Sequence, residues 1–166
     1  MRKNERIGKR MIKVLFVCHG NICRSPMAQY VLQYMVGKRG LSDLFEIDSA
    51  ATSYEEIGNG IHHGTRSKLR SLGIPVGNHR ARRMERGDYE RYDYLIGMEK
   101  YNISNMYRIL GMRPEEDEEH KVWRLLDFGR RPRDIADPWY TGNFDVTYED
   151  IVEGCEALLE YVLRDA

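Results

Sequence analysis

Residues 12–27, IKVLFVCHGNICRSPM, carry the strongest structural signal in this chain. The first six are rich in apolar and β-branched residues, and the next four, CHGN, are prone to form a turn. This pattern is typical of a strand buried on both faces, as in a parallel sheet. Ser25 and Pro26 then predict a helix, with Ser25 as its N-cap and Pro26 at its first position. The stretch is therefore predicted to run from a strand through a tight turn into a helix.

Strand-like and helix-like patterns alternate along the rest of the chain. Further strands are predicted at residues 44–47, 92–98 and 122–126. Helices are predicted at residues 65–72, 102–110 and 147–163. Residues 130–143, which are rich in Arg, Asp and Pro, are predicted to form a long loop. The alternation predicts an α/β fold, with a parallel sheet covered by helices on both faces.

Length and composition exclude several classes of protein. A chain of 166 residues suits one domain. The 26 Lys and Arg residues are balanced by 26 Asp and Glu residues, so the formal net charge is zero. The chain therefore lacks the strong overall positive field that attracts nucleic acid. The longest apolar run, residues 14–18, is too short to span a bilayer, and three cysteines make no disulfide framework. We therefore expect a cytoplasmic protein. Residues 1–10 are predicted to be a disordered leader or an expression remnant before a domain at residues 11–166.

The turn after the first strand is predicted to bind an anion. Between a strand end and a helix N-terminus, successive backbone N–H groups point inward and the helix adds partial positive charge. Gly20 permits a tight bend, and Asn21 tolerates a left-handed conformation. The thiolate of Cys18 is favoured in this field, and the planar guanidinium of Arg24 suits a phosphate. The pattern indicates that Cys18 is a nucleophile facing a bound phosphate, with the Ser25 hydroxyl near its sulfur.

A thiolate that attacks phosphorus needs a proton donor for the leaving group. The candidate is Asp137, within residues 136–140, ADPWY. Pro138 stiffens this polar loop, and the rings of Trp139 and Tyr140 could form a wall beside a flat substrate. Since Asp-Pro is also an ordinary turn dipeptide, this segment alone leaves the general acid unassigned.

Together the two motifs resemble the low-molecular-weight protein tyrosine phosphatase family. The family's loop, Cys-x-Gly-Asn-x-Cys-Arg-Ser-Pro, is matched in full by residues 18–26, and its late Asp-Pro-aromatic-aromatic motif by residues 137–140. Three segments between these motifs also resemble the family: DSAAT at 48–52, HHGTR at 62–66 and HRAR at 79–82. The resemblance implies a three-layer sandwich, in which a four-stranded parallel sheet is flanked by helices. The phosphate-binding loop then lies between the first strand and the first helix.

The resemblance also implies a metal-free, two-step hydrolysis of phosphotyrosine in proteins. Cys18 attacks the phosphoryl group to form a phosphocysteine, while the loop amides and Arg24 hold its oxygens. Asp137 acts first as the general acid and then as the general base, as microscopic reversibility allows.

Further site residues are expected from the same resemblance. The rest of the phosphate-binding loop comprises His19, Gly20, Asn21, Ile22, Cys23 and Ser25. The residues expected to brace this loop by hydrogen bonds are Asn21, Ser25, Ser49 and His79. The residues expected along the substrate wall are Tyr54, Glu55, Trp139 and Tyr140. Glu99 stands where many members of the family have aspartate, which leaves details of substrate preference open.

Cys23 supports a second hypothesis, that of a redox guard. It lies five residues from Cys18 on the same tight loop, so an oxidised Cys18 could be trapped as a disulfide and protected from irreversible oxidation. The alternative is that Cys23 is a small residue packed beneath the loop. Cys155 is expected on the apolar face of the last helix, in the core.

Three rival functions share the same loop. Arsenate reductases of this superfamily relay electrons through a further cysteine pair, and none lies between Cys23 and Cys155. Arginine phosphatases typically have threonine where this chain has Ile22, so isoleucine favours phosphotyrosine. A catalytically inactive phosphate-binding module would have lost Cys18, Arg24 or Asp137.

We expect no cofactor and no metal, since the adjacent His62 and His63 point in different directions on a helix. The expected partners are phosphotyrosine-containing proteins, with inorganic phosphate or similar oxyanions as product or inhibitor. No nucleic-acid or membrane partner is predicted, and the protein is expected to be a monomer. The five arginines of residues 79–91 are more simply a solvated face than a site for acidic substrates.

Overall fold

A computed structural model describes residues 11–165, so the leader expected over residues 1–10 lies outside the described residues. The strands are β1 (Ile12–Cys18), β2 (Phe45–Ala51), β3 (Tyr94–Gly97) and β4 (Val122–Arg124). The helices are α1 (Arg24–Lys38), α2 (His63–Ser71), α3 (Asp88–Arg91), α4 (Lys100–Leu110), α5 (Pro138–Thr141) and α6 (Phe144–Asp165). Short 3₁₀ helices occupy Ser42–Leu44, Pro114–Glu116 and Leu125–Phe128.

The four strands form one parallel sheet in the order β2-β1-β3-β4. β1 pairs with β2 on one side and with β3 on the other, so successive connections leave it in opposite directions. In open α/β sheets, ligands bind beyond the carboxyl ends of the strands at such a switch point. The loop that follows Cys18 lies at this position.

The core has two halves because β1 is buried on both faces. Val14 and Phe16 point into the half that α1 and α6 cover, where Phe16 shares a cluster with Leu158. Leu15 and Val17 point into the other half, with side chains of β3 and α4. The α/β prediction, with a four-stranded parallel sheet between helical layers, is therefore confirmed. Within residues 11–165, no helix combines the length and apolar character needed to cross a bilayer.

Several predicted boundaries are wrong, for identifiable reasons. β2 continues to Ala51 instead of ending at Ile47, because its polar second half still pairs with β1 up to Cys18. β4 ends at Arg124, and the chain then turns into a 3₁₀ helix in which Asp127 accepts a hydrogen bond from the Arg124 amide at 3.2 Å. Within the predicted loop at residues 130–143, Asp137 caps the short helix α5.

Ser25 is not the N-cap of α1. The helix begins at Arg24, with Cys23 at the N-cap and Pro26 as the third helical residue. The Ser25 hydroxyl instead lies 3.0 Å from the Cys18 sulfur and accepts a hydrogen bond from Asn21 Nδ2 at 2.8 Å. The strand-turn-helix prediction is correct, but the serine serves the loop rather than the helix end.

Replacement of Gly154 by alanine is expected to destabilise the fold. A Cβ atom at this position of α6 would overlap the fully buried side chain of Leu125. Overpacking of this kind costs about 1–3 kcal/mol, more than the gain in helix propensity returns. The matched control is Gly37→Ala in α1, where the nearest atom, Ser42 Oγ, would be 3.5 Å away. Thermal melts should show a lower Tm for Gly154→Ala alone, and equal shifts for both variants would contradict the packing argument.

Candidate active site

The loop from Cys18 to Arg24 is braced from outside by several hydrogen bonds. Asn21 is fully buried with a φ of 62°, the left-handed conformation that its side chain tolerates. Its Nδ2 donates to Ser25 Oγ, and its Oδ1 accepts from the Arg82 amide at 3.2 Å. His79 Nε2 lies 2.7 Å from the Asn21 carbonyl oxygen, which can only accept. Burial lowers the pKa of His79, and the neutral ring with its proton on Nε2 makes this bond.

The Cys18 sulfur is hydrogen-bonded by Ser25, the residue that follows this loop. The Ser25 amide donates to it at 3.4 Å, and the Ser25 hydroxyl lies at 3.0 Å. Because Asn21 Nδ2 already donates to the Ser25 oxygen, the hydroxyl proton is free to point at the sulfur. These two contacts fix the Cys18 sulfur beside the first turn of α1.

Ser49 is placed apart from this network. Its hydroxyl donates to Gln29 of α1, so this side chain ties β2 to that helix and makes no hydrogen bond to the loop. Of the four residues expected to brace the loop, the structure thus brings together Asn21, Ser25 and His79. Both Ser49 and Gln29 are buried, so their hydrogen bond satisfies two polar groups in the interior.

The other two cysteines are held as neutral thiols. Burial, followed by the charges of Cys18 and Asp137, raises the pKa of the Cys23 thiol to about 12. Burial also raises the pKa of Cys155, which lies in the core against α1 as the sequence predicts. All three cysteines are free. Since the thiolate is the reactive form, Cys23 is a poor nucleophile at neutral pH.

Arg24 lies at the floor of the site with only 1% of its surface exposed. Its Nη1 donates to the Ile135 carbonyl oxygen at 2.7 Å and contacts Glu99 Oε2 at 2.6 Å. Its Nη2 lies 3.3 Å from Asp137 Oδ2. A buried charge needs such partners, because desolvation is otherwise expensive. The sequence marked Glu99 only as a departure from the family pattern, whereas the structure places it as the main counter-ion of Arg24.

Asp137 is held in place by residues on both sides of it. Its Oδ1 accepts a hydrogen bond from the Trp139 amide at 3.0 Å. Two residues earlier, the Ile135 amide donates to the Met98 carbonyl oxygen at the end of β3. Asp134 Oδ1 accepts from the first amide of α4, at Lys100, over 2.9 Å and from Arg124 Nη1 over 3.0 Å. Asp134 was missed at the sequence level, since its partners lie far away in sequence.

A cavity opens above the loop, and it brings together most of the predicted site residues. Its lining comprises Cys18, His19, Gly20, Ile22, Cys23, Arg24, Glu55, Glu56, Asp137, Trp139 and Tyr140. Tyr54 is not part of this lining, because its ring lies beneath the guanidinium of Arg83, with 4.3 Å from Cζ to the ring centroid. The sequence analysis did not predict that Glu56 lines the cavity, and the one signal for it was its position next to Glu55.

His62 has a structural position beside the site. Its Nδ1 accepts a hydrogen bond from the Gly64 amide and so caps α2, while its own amide donates to the Ile22 carbonyl oxygen at 2.8 Å. Its ring stacks on Phe144 and meets the edge of Trp139. Within residues 11–165, no group of three or more His, Cys, Asp or Glu side chains is arranged to hold a metal ion.

Asn21→Ala is expected to lower the free energy of unfolding by about 2–4 kcal/mol. Alanine is strained at a positive φ, and the substitution removes the hydrogen bonds that Asn21 makes to the Ser25 hydroxyl oxygen and to the Arg82 amide. Asn21→Gly removes the strain but not the lost hydrogen bonds, so its loss should be smaller. Urea titrations measure both, and equal stability of Asn21→Ala and the parent protein would contradict a bracing role.

Comparisons with known proteins agree with this geometry. A family model described as low molecular weight phosphotyrosine protein phosphatase matches residues 13–166. The low molecular weight protein-tyrosine-phosphatase YfkJ of Bacillus subtilis is 39% identical, over 93% of this chain and 98% of that protein. Its crystal structure superposes with a TM-score of 0.86, covering 93% of this chain and 96% of that one at 38% identity. PtpA of Staphylococcus epidermidis is 34% identical, over 94% of this chain and 97% of the relative.

An arginine phosphatase from Drosophila is also similar in structure. It superposes with a TM-score of 0.82 at 30% identity, covering 91% of this chain and 98% of that one. The fold is thus shared by proteins named for two different phosphoryl substrates. With a family match across nearly the whole chain and relatives well above 30% identity, this chain belongs to the low molecular weight phosphotyrosine protein phosphatase family.

Proposed function

We propose that this phosphatase hydrolyses phosphotyrosine in proteins, with Cys18 as the nucleophile. The observation that carries the proposal is that one cavity is lined by Cys18, Arg24 and Asp137, with Arg24 hydrogen-bonded to Asp137. Residues from the first strand, the first helix and a loop near the C-terminus meet there. These groups suffice as nucleophile, phosphate clamp and proton donor for phosphoryl transfer.

In the first step, the Cys18 thiolate attacks phosphorus in line with the bond to the phenolic oxygen. A sulfur–phosphorus bond forms as the phosphorus–oxygen bond breaks, and Asp137 in its acid form gives its proton to the leaving oxygen. The loop amides and Arg24 hold the three remaining phosphoryl oxygens, where negative charge must be stabilised. Arg24 Nη2, which lies 3.3 Å from Asp137 Oδ2, is the donor that turns toward the phosphate.

In the second step, water attacks the phosphocysteine. Asp137, now a carboxylate, removes a proton from this water, and the sulfur–phosphorus bond breaks to regenerate the Cys18 thiolate and release inorganic phosphate. The position of Asp137 at the N-cap of α5 keeps the carboxyl group beside the reacting atoms in both steps. The exposed rings of Trp139 and Tyr140 border the cavity and suit contact with the phenyl ring of the substrate.

A protein arginine phosphatase is the second candidate, since one structural neighbour at 30% identity carries that name. Ile22, which stands where arginine phosphatases typically have threonine, lines the cavity. An apolar side chain there suits an aromatic ring better than a guanidinium. The cytoplasmic location, the monomeric state and the Cys18–Cys23 redox guard stay predictions.

The substrate class is tested with matched peptides containing phosphotyrosine, phosphoserine or phosphoarginine, with a chelator present. We expect fast release of phosphate from phosphotyrosine alone, and none from any peptide with Cys18→Ser. Preference for phosphoarginine would support the second candidate. Turnover that survives Cys18→Ser would exclude Cys18 as the nucleophile.

Asp137→Asn is expected to slow substrates with poor leaving groups by about 10²–10⁴-fold, because asparagine keeps the helix cap but has no proton to give. Aryl phosphates with good leaving groups should slow far less in the first step. Pre-steady-state release of the phenol, measured across a series of leaving groups, checks this. Asp145→Asn, at an exposed aspartate of α6, is the matched control. An equal loss for all leaving groups would show that Asp137 is not the acid.

A further inference from the structure

The mouth of the cavity is negatively charged on one wall. Glu55 and Glu56 line the cavity together with the exposed rings of Trp139 and Tyr140. Among the lining residues of the described chain, Arg24 has the one permanent positive charge, and it is buried at the floor. We call the carboxylates of Glu55 and Glu56 the acidic lip. A ligand that enters the cavity passes the acidic lip before it reaches the guanidinium of Arg24.

The acidic lip is tied to the phosphate-binding loop. Glu55 Oε2 lies 2.8 Å from His19 Nε2, and the side chain is still 66% exposed, so its other oxygen stays open to solvent. The His19 carbonyl oxygen accepts hydrogen bonds from both the amide and the hydroxyl of Ser53, at 3.1 and 2.9 Å. His19, which is itself bonded to Ser53, therefore holds the side chain of Glu55 in position.

Glu56 is held in a similar way. Its stem lies against Gly20, where an added Cβ would come within 3.3 Å of Glu56 Cγ. Its Oε1 accepts a hydrogen bond from Asn59 Nδ2 at 3.0 Å. Both carboxylates thus have fixed stems at the mouth, and less side-chain entropy is lost when a cation binds them.

None of the five arginines of residues 79–91 is among the residues that line the cavity, and Arg82 and Arg83 have partners other than the acidic lip. Arg82 pairs with the buried Asp88 at 3.2 Å and lies 3.9 Å from Asp48. Arg83 lies over the ring of Tyr54, outside the cavity lining. These guanidiniums have other partners, so the field at the mouth is dominated by the nearer carboxylates.

We propose that the acidic lip is a subsite for lysine or arginine side chains adjacent to the phosphotyrosine of a substrate. This rests on the proposed function, because it assumes that a phosphotyrosine side chain enters the cavity. When the ring reaches the loop, the neighbouring residues of the substrate lie across the mouth, within reach of Glu55 and Glu56. Basic side chains are attracted there and acidic ones repelled, which sets substrate preference through charge complementarity.

The test compares three phosphotyrosine peptides of equal length, with arginine, glutamine or glutamate on both sides of the phosphotyrosine. At about 20 mM salt we expect kcat/KM for the arginine peptide to exceed that for the glutamate peptide by about 10-fold, and the ratio to fall strongly at about 500 mM salt. In Glu55→Gln/Glu56→Gln the ratio should approach one. It should be unchanged in the control Glu90→Gln/Glu118→Gln, which removes two exposed carboxylates outside the cavity lining.

Because each ratio is measured within one variant, a general loss of activity does not affect it. If the glutamine peptide is hydrolysed but the arginine and glutamate peptides react equally, the subsite is overturned and the phosphatase function stands. The same holds if the control variant changes the ratio as much as the lip variant does. If none of the three peptides is hydrolysed, the proposed function and the subsite both fail.

Discussion

The buried guanidinium of Arg24 is the constraint on which the rest of the site depends. A charge with 1% exposure is stable only where hydrogen-bonding partners surround it. Here the partners are Glu99, the Ile135 carbonyl oxygen and Asp137. They come from the segment after β3 and from the loop before α5, so one side chain of α1 draws two distant segments to the end of β1.

The same arrangement holds the other residues around the cavity in a fixed geometry. Asn21 takes a left-handed backbone conformation within the loop, the segment before Asp137 is fixed to the end of β3 and to α4, and Ser25 hydrogen-bonds the Cys18 sulfur. For the phosphoryl transfer proposed above, groups that are aligned in advance need little reorganisation as charge develops. Removal of Glu99 would leave the buried charge of Arg24 with only the Ile135 carbonyl oxygen and the more distant Asp137 carboxylate as partners, so this glutamate helps to hold the guanidinium in place.

The sequence predicted the fold class and the catalytic candidates because those signals are local. A strand, a glycine-containing turn and a helix start follow one another within residues 12–27, and Asp137 lies in a motif of four residues. The parallel order of the strands followed from the alternation with helices. The true end of β2 was missed because residues 48–51 pair with β1 despite their polar and small side chains.

The remaining features depend on pairs of residues that are distant in the chain. Nothing near Glu99 in the sequence indicates that it faces Arg24, and nothing near Asp134 indicates the amide of Lys100 or the side chain of Arg124. Ser25 looked like a helix cap because its neighbours fit that pattern, but the hydroxyl is used by Cys18 and Asn21. Long-range partners of this kind appear only when the sheet has brought its strand ends together.

The central claim, that Cys18 carries the phosphoryl group between the two steps, is tested most directly by trapping the intermediate. The enzyme is mixed with a phosphotyrosine substrate, denatured within milliseconds and digested with a protease. The masses of the resulting peptides are then measured by mass spectrometry. We expect one added phosphoryl group on the peptide that contains residues 18–24, assigned by fragmentation to Cys18 and absent in Cys18→Ser. A phosphoryl group on Cys23 or elsewhere, or rapid turnover with no labelled peptide at any time point, would contradict it.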